Sequence, residues 1–193
     1  MLVHEAVLLL SFHLVHHYQS YLDSHTFLRD GQEVLLAKVK GAPISFDLDG
    51  LSQRIDQIHT LPVCPWPEYD RKLHNPVDGA VEITGDIVLI EGNYLLLDQP
   101  GWRDLRSYAD YTVRILAETE QVRERLIARK AKGCSMEAAI QHVENSDIPN
   151  VRLCMECSLE ADLTLCLQED GSYGYVRGHF PHDAANVVIP NKL

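Results

Sequence analysis

Several things are scarce in this chain, and each scarcity closes off a class of function. Basic residues are outnumbered: 17 Lys and Arg stand against 28 Asp and Glu, a formal charge of −11 at pH 7. A surface of that sign repels polyanions, so neither nucleic acid nor an anionic membrane is expected as a partner. Long hydrophobic runs are missing, and none approaches the roughly 20 residues a membrane-spanning helix needs. The opening "MLVHEAVLLLSFH" is apolar, yet it has no basic n-region and no small-residue cleavage site, so it is not read as a signal peptide. Cysteine is sparse at five, an odd number without framework spacing, which suits a reducing, cytoplasmic location. Internal repeats and low-complexity linkers are also lacking. At 193 residues the expectation is one domain, 1–193, with a real core.

What is present reads as alternating strands and helices. "EAVLLL" (Glu5 to Leu10) looks like a short buried strand. Leu48, Leu51, Ile55 and Ile58 recur three to four apart, the apolar face of an amphipathic helix. "LPVCPWPEYDRKLHNP" holds four prolines and is expected to be a loop rather than an element interior. A helical stretch is expected near Trp102 to Ser107, a strand at "DYTVRIL" (Asp110 to Leu116), and a helix over 119–131. Ser135 is a good N-cap for another helix with Glu137 in its first turn. Pro149 should break or restart that helix, with a further one running toward Ala161. "DLTLCL" (Asp162 to Leu167) is a last core strand, and Asp170-Gly171 marks a hairpin turn. The alternation implies an α/β fold with a mostly parallel sheet.

One stretch raises a chemical question. In "DIVLIEGNYLLLD" the run Ile87 to Ile90 resembles a strand buried on both faces, and it ends in Glu91 and Gly92. Glu91 is either a solvated strand end or a carboxylate facing a ligand, since open α/β sheets bind ligands at the carboxyl ends of their strands. Two other patterns offer chemistry. His13, His16 and His17 have helical i, i+3, i+4 spacing, but no carboxylate or cysteine pattern completes a metal site, and none is assigned. Cys154 and Cys157 form a CxxC without a second pair, better read as structural than as zinc-binding or redox-active.

Taken in order, "KGAPISFD", "YDRKLHNP", "EGNYLLLD" and "RLIARKAKGCSMEAA" resemble the uridine kinase and phosphoribulokinase branch of the P-loop kinases, in particular its bacterial nucleoside/nucleotide-kinase-like members. The resemblance runs from about Ser11 to Leu165. It implies a P-loop NTPase-like three-layer fold, a small-molecule hydroxyl as substrate, and ATP with Mg2+ as cofactors. By the same resemblance Glu91 occupies the place of a Walker-B-type acid that orders the magnesium shell, which phosphoryl transfer needs for positioning and charge neutralisation. Phe46 and Asp47 match a pair that contacts the acceptor. Tyr69, Asp70, Arg71 and His74 match a loop that closes over it, and otherwise read as an exposed polar turn. Arg125 and Arg129, four apart on one helical face, match a lid near 123–150 that brings arginines onto phosphates; spacing alone allows a solvated face equally.

Two departures from the family pattern stand beside these matches. A P-loop enzyme cradles phosphates with GxxxxGK(S/T), and that pattern is nowhere in the sequence: no glycine precedes Gly31. At "LLLSFHL" the family commonly has an aspartate, the expected base, before Ser-Phe-His; here Leu10 stands in its place, and leucine cannot accept a proton. The first strand, P-loop and first helix are therefore expected to be missing, through a truncated reading frame or a degenerate family member. The leading expectation is a kinase for a nucleoside, sugar or pantothenate-like hydroxyl, inactive as it stands. The alternative is a non-catalytic ligand-binding or regulatory protein that keeps the acceptor pocket.

Overall fold

The computed structural model describes residues 7–11 (backbone only), 18–70, 72–73, 75–84 and 87–180. Phe12, His13, His16, His17, Arg71 and His74, all singled out above, lie outside the described residues. The chain divides into two compact units, Met1–Leu95 and Leu96–Leu193, and each is described on its own.

In the first unit β1 (Val7–Ser11) is followed by α1 (Gln19–Ser24) and by an antiparallel hairpin of β2 (Thr26–Arg29) and β3 (Gln32–Leu35). Asp30 and Gly31 turn that hairpin with φ of 53° and 76°, the left-handed pair a two-residue turn demands. The expected amphipathic helix is α2 (Leu48–Thr60), with Leu51 and Ile55 buried. Next come β4 (Cys64–Asp70) and β5 (Asn75–Ile83), then β6 (Ile87–Glu91), which pairs in parallel with β1 so that Leu10 stands opposite Ile90 and Ser11 opposite Glu91.

Two expectations need correction here. The proline-rich stretch is not a loop: β4 and β5 form an antiparallel hairpin through it. Its prolines are tolerated because β4 has one partner among the described residues, so a missing N–H on the other side breaks no ladder. Pro67 sits in a bulge where the register shifts between Trp66 opposite Val81 and Glu68 opposite Val77, leaving Asp78, Gly79 and Ala80 to face Pro67 alone. Gly79, at φ 65°, makes that bulge possible. Nor is β6 buried on both faces. Its exposure alternates, with Ile87 and Leu89 43% and 51% exposed and Val88 and Ile90 half-buried.

In the second unit β7 (Val113–Leu116) runs parallel to β8 (Leu163–Leu167), which pairs antiparallel with β9 (Tyr173–Gly178). A 3-10 turn at Arg103–Tyr108 precedes β7. The turn between β8 and β9 is the expected one: Gly171 has φ 86°, and Asp170 Oδ1 accepts from the Ser172 amide and hydroxyl. Helices α3 (Thr119–Lys130), α4 (Met136–His142) and α5 (Ile148–Glu156) lie between the strands. Ser135 caps α4 as expected, its hydroxyl accepting from Ala138 N. Pro149 restarts the helix, as expected, and stands in the first turn of α5. Its ring would clash with the carbonyl four residues back, so the chain widens into a π-turn at Val143–Asp147 and continues as α5, which ends at Glu156 rather than near Ala161. At the entry to the sheet, the Asp162 carboxylate accepts from Thr112 N (2.8 Å), the Thr112 hydroxyl (2.7 Å) and the Arg106 guanidinium (2.9 Å). No helix among the described residues is long and apolar enough to cross a membrane.

Candidate functional site

The segment leading into α2 is held rigidly before it presents any chemistry. Gly41, at φ 100°, reverses the chain and donates its amide to Ser45 Oγ at 3.0 Å, while the buried Ser45 hydroxyl donates to Ala42 O at 2.7 Å. Phe46 is buried and packs edge-on against Tyr94, with ring centroids 5.4 Å apart at 81°. Such pairs contribute about 0.5–1.5 kcal/mol beyond burial. Tyr94 follows Glu91 by three residues, and its hydroxyl donates back to Gly41 O at 2.7 Å. The turn after β6 and the entry to α2 are thereby fastened together. Phe46 is thus a packing residue at this site, and Tyr94 is a fastening that sequence reasoning did not single out. An isolated aromatic in a turn gives no signal that it closes on a segment some 50 residues away.

Asp47 is the N-cap of α2. Its Oδ1 accepts from Gly50 N at 3.0 Å, and its Oδ2 makes no hydrogen bond among the described residues. Gly50 is what allows this pose: a Cβ there would lie 2.5 Å from Oδ2. Beyond Asp47 the polar side of α2 forms the wall of a cleft of about 190 Å3, lined by Tyr18, Asp47, Gly50, Gln53, Arg54 and Gln57. These helical positions fall three to four apart, so they share one face.

Asp78, projected by the bulge in β5, fixes two members of that wall. Its Oδ1 accepts from the Tyr18 hydroxyl and from Arg54 Nη2, both at 2.5 Å. Burial, with the hydrogen bond to Asp78 adding to it, pushes the Tyr18 phenol up to about 12, so it stays a neutral donor. Asn75, at the start of β5, accepts from Gln19 N at 2.9 Å. The hairpin is so tied to the first turn of α1 at two points.

The other expected site residues are placed as follows. Glu91 is exposed at the C-terminal end of β6, beside Ser11 of the parallel neighbour. Tyr69 and Asp70 end β4 rather than sitting in a loop, and neither is among the described residues lining the cleft. Asp70 Oδ1 accepts from Lys72 N (2.7 Å) and Leu73 N (3.0 Å), so this carboxylate organises a turn. In the second unit Arg125 and Arg129 are exposed on α3 and make no ion pair or hydrogen bond among the described residues. Their neighbour Arg123 bridges Glu120 (3.0 Å) and Glu144 (2.5 Å), fixing α3 to the π-turn and leaving those two guanidinium groups available. Cys154 is buried enough to hold its thiol up at about 11, while Cys157 is exposed. Among the described residues no three His, Cys, Asp or Glu side chains gather where a metal could be held.

Comparison with known proteins gives this geometry a context. No family model matches the chain. Over 161 residues, 83% of its length, it is 38% identical to the uncharacterized protein YggC of Escherichia coli. Over 104 residues, 51% of its length, it is 29% identical to a proposed uridine kinase of Schizosaccharomyces pombe. The chain spans 64% and 44% of the lengths of these two relatives. In structure it resembles a proposed fructose transport system kinase from Silicibacter sp. TM1040, with a TM-score of 0.71 and 29% identity over 82% of this chain and 74% of that one. It also resembles YFH7 of Saccharomyces cerevisiae, a proposed P-loop kinase with a circular permutation; the TM-score is 0.67 at 20% identity over 85% and 58% of the two chains, a likeness of fold alone. The chain has the fold of the P-loop kinases, and its sequence is similar to that of the uridine-kinase-like proteins among them.

Proposed function

We propose that this chain carries the acceptor-binding half of a small-molecule kinase, one that transfers the γ-phosphoryl group of ATP to a hydroxyl of a sugar or other small polyhydroxy compound. The observation that supports this reading above others is Asp47: one carboxylate oxygen is spent on capping α2, and the other is left open at a cleft of monosaccharide dimensions. A carboxylate hydrogen-bonded to a sugar hydroxyl is a charge-assisted contact, about twice as strong as a neutral one, and it orients the hydroxyl that reacts. Gln53 and Gln57 add amide donors and acceptors along the same wall. The similarity to a proposed fructose transport system kinase agrees with a sugar acceptor. A cytosolic location belongs to the same proposal.

Kinase relatives imply ATP and Mg2+, and the described residues do not by themselves make a site for that pair. They supply one acid, Glu91, at a strand end, and the sequence holds no GxxxxGK(S/T) loop to cradle phosphates. Arg125 and Arg129 are placed on a helix suited to a phosphate-binding lid, and that role is part of the proposal. A second reading, a ligand-binding or regulatory protein without catalysis, is favoured by Leu10: the position across from Ile90, one residue before Glu91, offers no proton acceptor. Both readings predict that the 193-residue chain binds an acceptor and does not turn over. A radiolabel assay with ATP and Mg2+ over a panel of sugars, nucleosides and pantothenate should give less than about one turnover per minute. Turnover above that, abolished by Glu91→Gln, would overturn the inactive reading.

A further inference from the structure

Resting on the acceptor reading of the same cleft, we propose that Asp78, a residue outside the cleft, decides which acceptors can enter. By neutralising Arg54 it makes the cleft select uncharged polyhydroxy compounds and reject anionic ones such as sugar phosphates or hydroxy acids.

Among the described residues, one cation, Arg54, stands on the wall. A guanidinium lining a cleft of this size is, by itself, a receptor for phosphate or carboxylate, because its planar fork matches their oxygens two at a time. Arg54 is not free to act so. Its Nη2 donates to Asp78 Oδ1 at 2.5 Å and stands 3.4 Å from the Tyr18 hydroxyl, which donates to the same oxygen. The Arg54 side chain is 23% exposed and that of Asp78 64%, so the cation is the more enclosed partner. Counting Asp47, Arg54 and Asp78, two carboxylates and one guanidinium leave a net negative charge around the cleft. Among the described residues lining the cleft, an entering anion would meet the open oxygen of Asp47 with no unpaired cation to offset it. A neutral polyol has hydroxyls to donate to Asp47 and to share with Gln53 and Gln57.

The backbone shows how the charge is delivered. Asp78 stands in the three-residue bulge opposite Pro67, and bulges re-aim side chains away from the regular alternation of a strand. Without the bulge, Asp78 would follow the ordinary register of β5. The distortion places one carboxylate oxygen at both Tyr18 and Arg54, groups that lie 60 and 24 residues away in sequence. Asp78 is therefore a positioning residue: it contacts no acceptor, and it acts through Arg54.

The test compares ligands that differ only in charge. D-ribose, D-fructose and D-glucose are each paired with their terminal phosphate esters, and binding to the 193-residue chain is followed by thermal protection and calorimetry at low ionic strength. The wild type should bind a neutral member and bind its ester at least tenfold more weakly. Asp78→Asn should shift that ratio by about tenfold or more toward the ester, and the gain should fade at high salt, as screening requires. Asp78→Asn combined with Arg54→Gln should abolish the gain, a readout that a merely structural role for Asp78 would not give. Should Asp78→Asn fold poorly, Arg54→Gln alone tests the same point, since a neutralised Arg54 leaves the wild-type discrimination against esters in place. Equal affinity for sugar and ester in the wild type overturns the proposal, as does an Asp78→Asn protein that gains nothing for esters. If Arg54→Gln alone erases ester binding seen in the wild type, Arg54 was never neutralised and the proposal fails. If no member binds, the acceptor reading falls together with this inference; if neutral sugars bind through Asp47 but charge is not discriminated, this inference falls alone.

Discussion

Replacing Gly50 by alanine separates the two roles of Asp47. The added Cβ would lie 2.5 Å from Asp47 Oδ2 and 2.9 Å from Cγ, closer than such atoms approach, and a tight 3.2 Å from Oδ1. Every obstructing atom belongs to one rotatable side chain, so the carboxylate turns away and the backbone stays in place. Two stability effects then oppose each other. Losing the cap to Gly50 N costs about 1 kcal/mol, within a range of roughly 0.5–2. Exchanging glycine for alanine inside a helix returns up to about 1 kcal/mol. The net change is expected within about 1 kcal/mol of zero, a melting shift of no more than about 4 °C for a chain of this size. Acceptor binding should nonetheless drop at least tenfold, because the oxygen that faced the cleft is gone from it. Thermal unfolding with and without a bound sugar reads both quantities in one experiment. Destabilisation beyond about 2 kcal/mol would show that the carboxylate cannot swing clear. Unchanged sugar protection would show that its orientation is not what binds.

Other consequences can be checked in the same preparations. Asp162→Asn keeps one acceptor oxygen for Thr112 but takes away the charge and the second oxygen that Arg106 meets, and should cost about 1–3 kcal/mol at pH 7 by denaturant unfolding. The Thr112 hydrogen bonds, with Arg106 assisting, hold the Asp162 carboxyl below its ordinary value, so its contribution is complete above about pH 4 and is lost as pH falls through that lowered value. A wild-type-minus-Asn difference that grew on acidification would contradict this sign. Toward a thiol reagent at pH 8, Cys157 should react well before Cys154, whose thiol burial holds up at about 11; mass mapping of the first labelled site showing Cys154 would be inconsistent with that burial. Arg125→Ala and Arg129→Ala, which break no contact among the described residues, should change stability by less than about 0.5 kcal/mol in denaturant titration.

The parts of the fold that were legible in the sequence are those whose cause is local. The apolar stripe of α2, the Ser135 cap and the Asp170-Gly171 turn each follow from residues within one or two turns of chain. The β4–β5 hairpin was not legible, because Pro65, Pro67 and Pro76 speak locally for a loop. Only a partner strand and a bulge, both tertiary facts, make them acceptable. The restart at Pro149 was legible from proline's own chemistry, but the π-turn at Val143–Asp147 that joins α4 to α5 was not. In the candidate site, Asp47 was found through resemblance, and the Asp-x-x-Gly spacing of Asp47 and Gly50 was a local sign of a capped helix entry. The remaining wall was not found. Gln53, Arg54 and Gln57 look like any solvated helix face until Tyr18 and Asp78, far away in sequence, are brought beside them.

In the proposed reading, Asp47 holds an acceptor hydroxyl in this cleft. Its most direct measurement is calorimetric titration of the 193-residue chain with neutral hexoses and pentoses, repeated with Asp47→Asn, which can keep the helix cap through its amide oxygen while losing the charge. The prediction is saturable binding of at least one sugar by the wild type, weakened tenfold or more in Asp47→Asn with the fold intact by circular dichroism. Sugar binding that is indifferent to Asp47→Asn, or protection by ATP with Mg2+ that matches or exceeds that of any sugar, would contradict it.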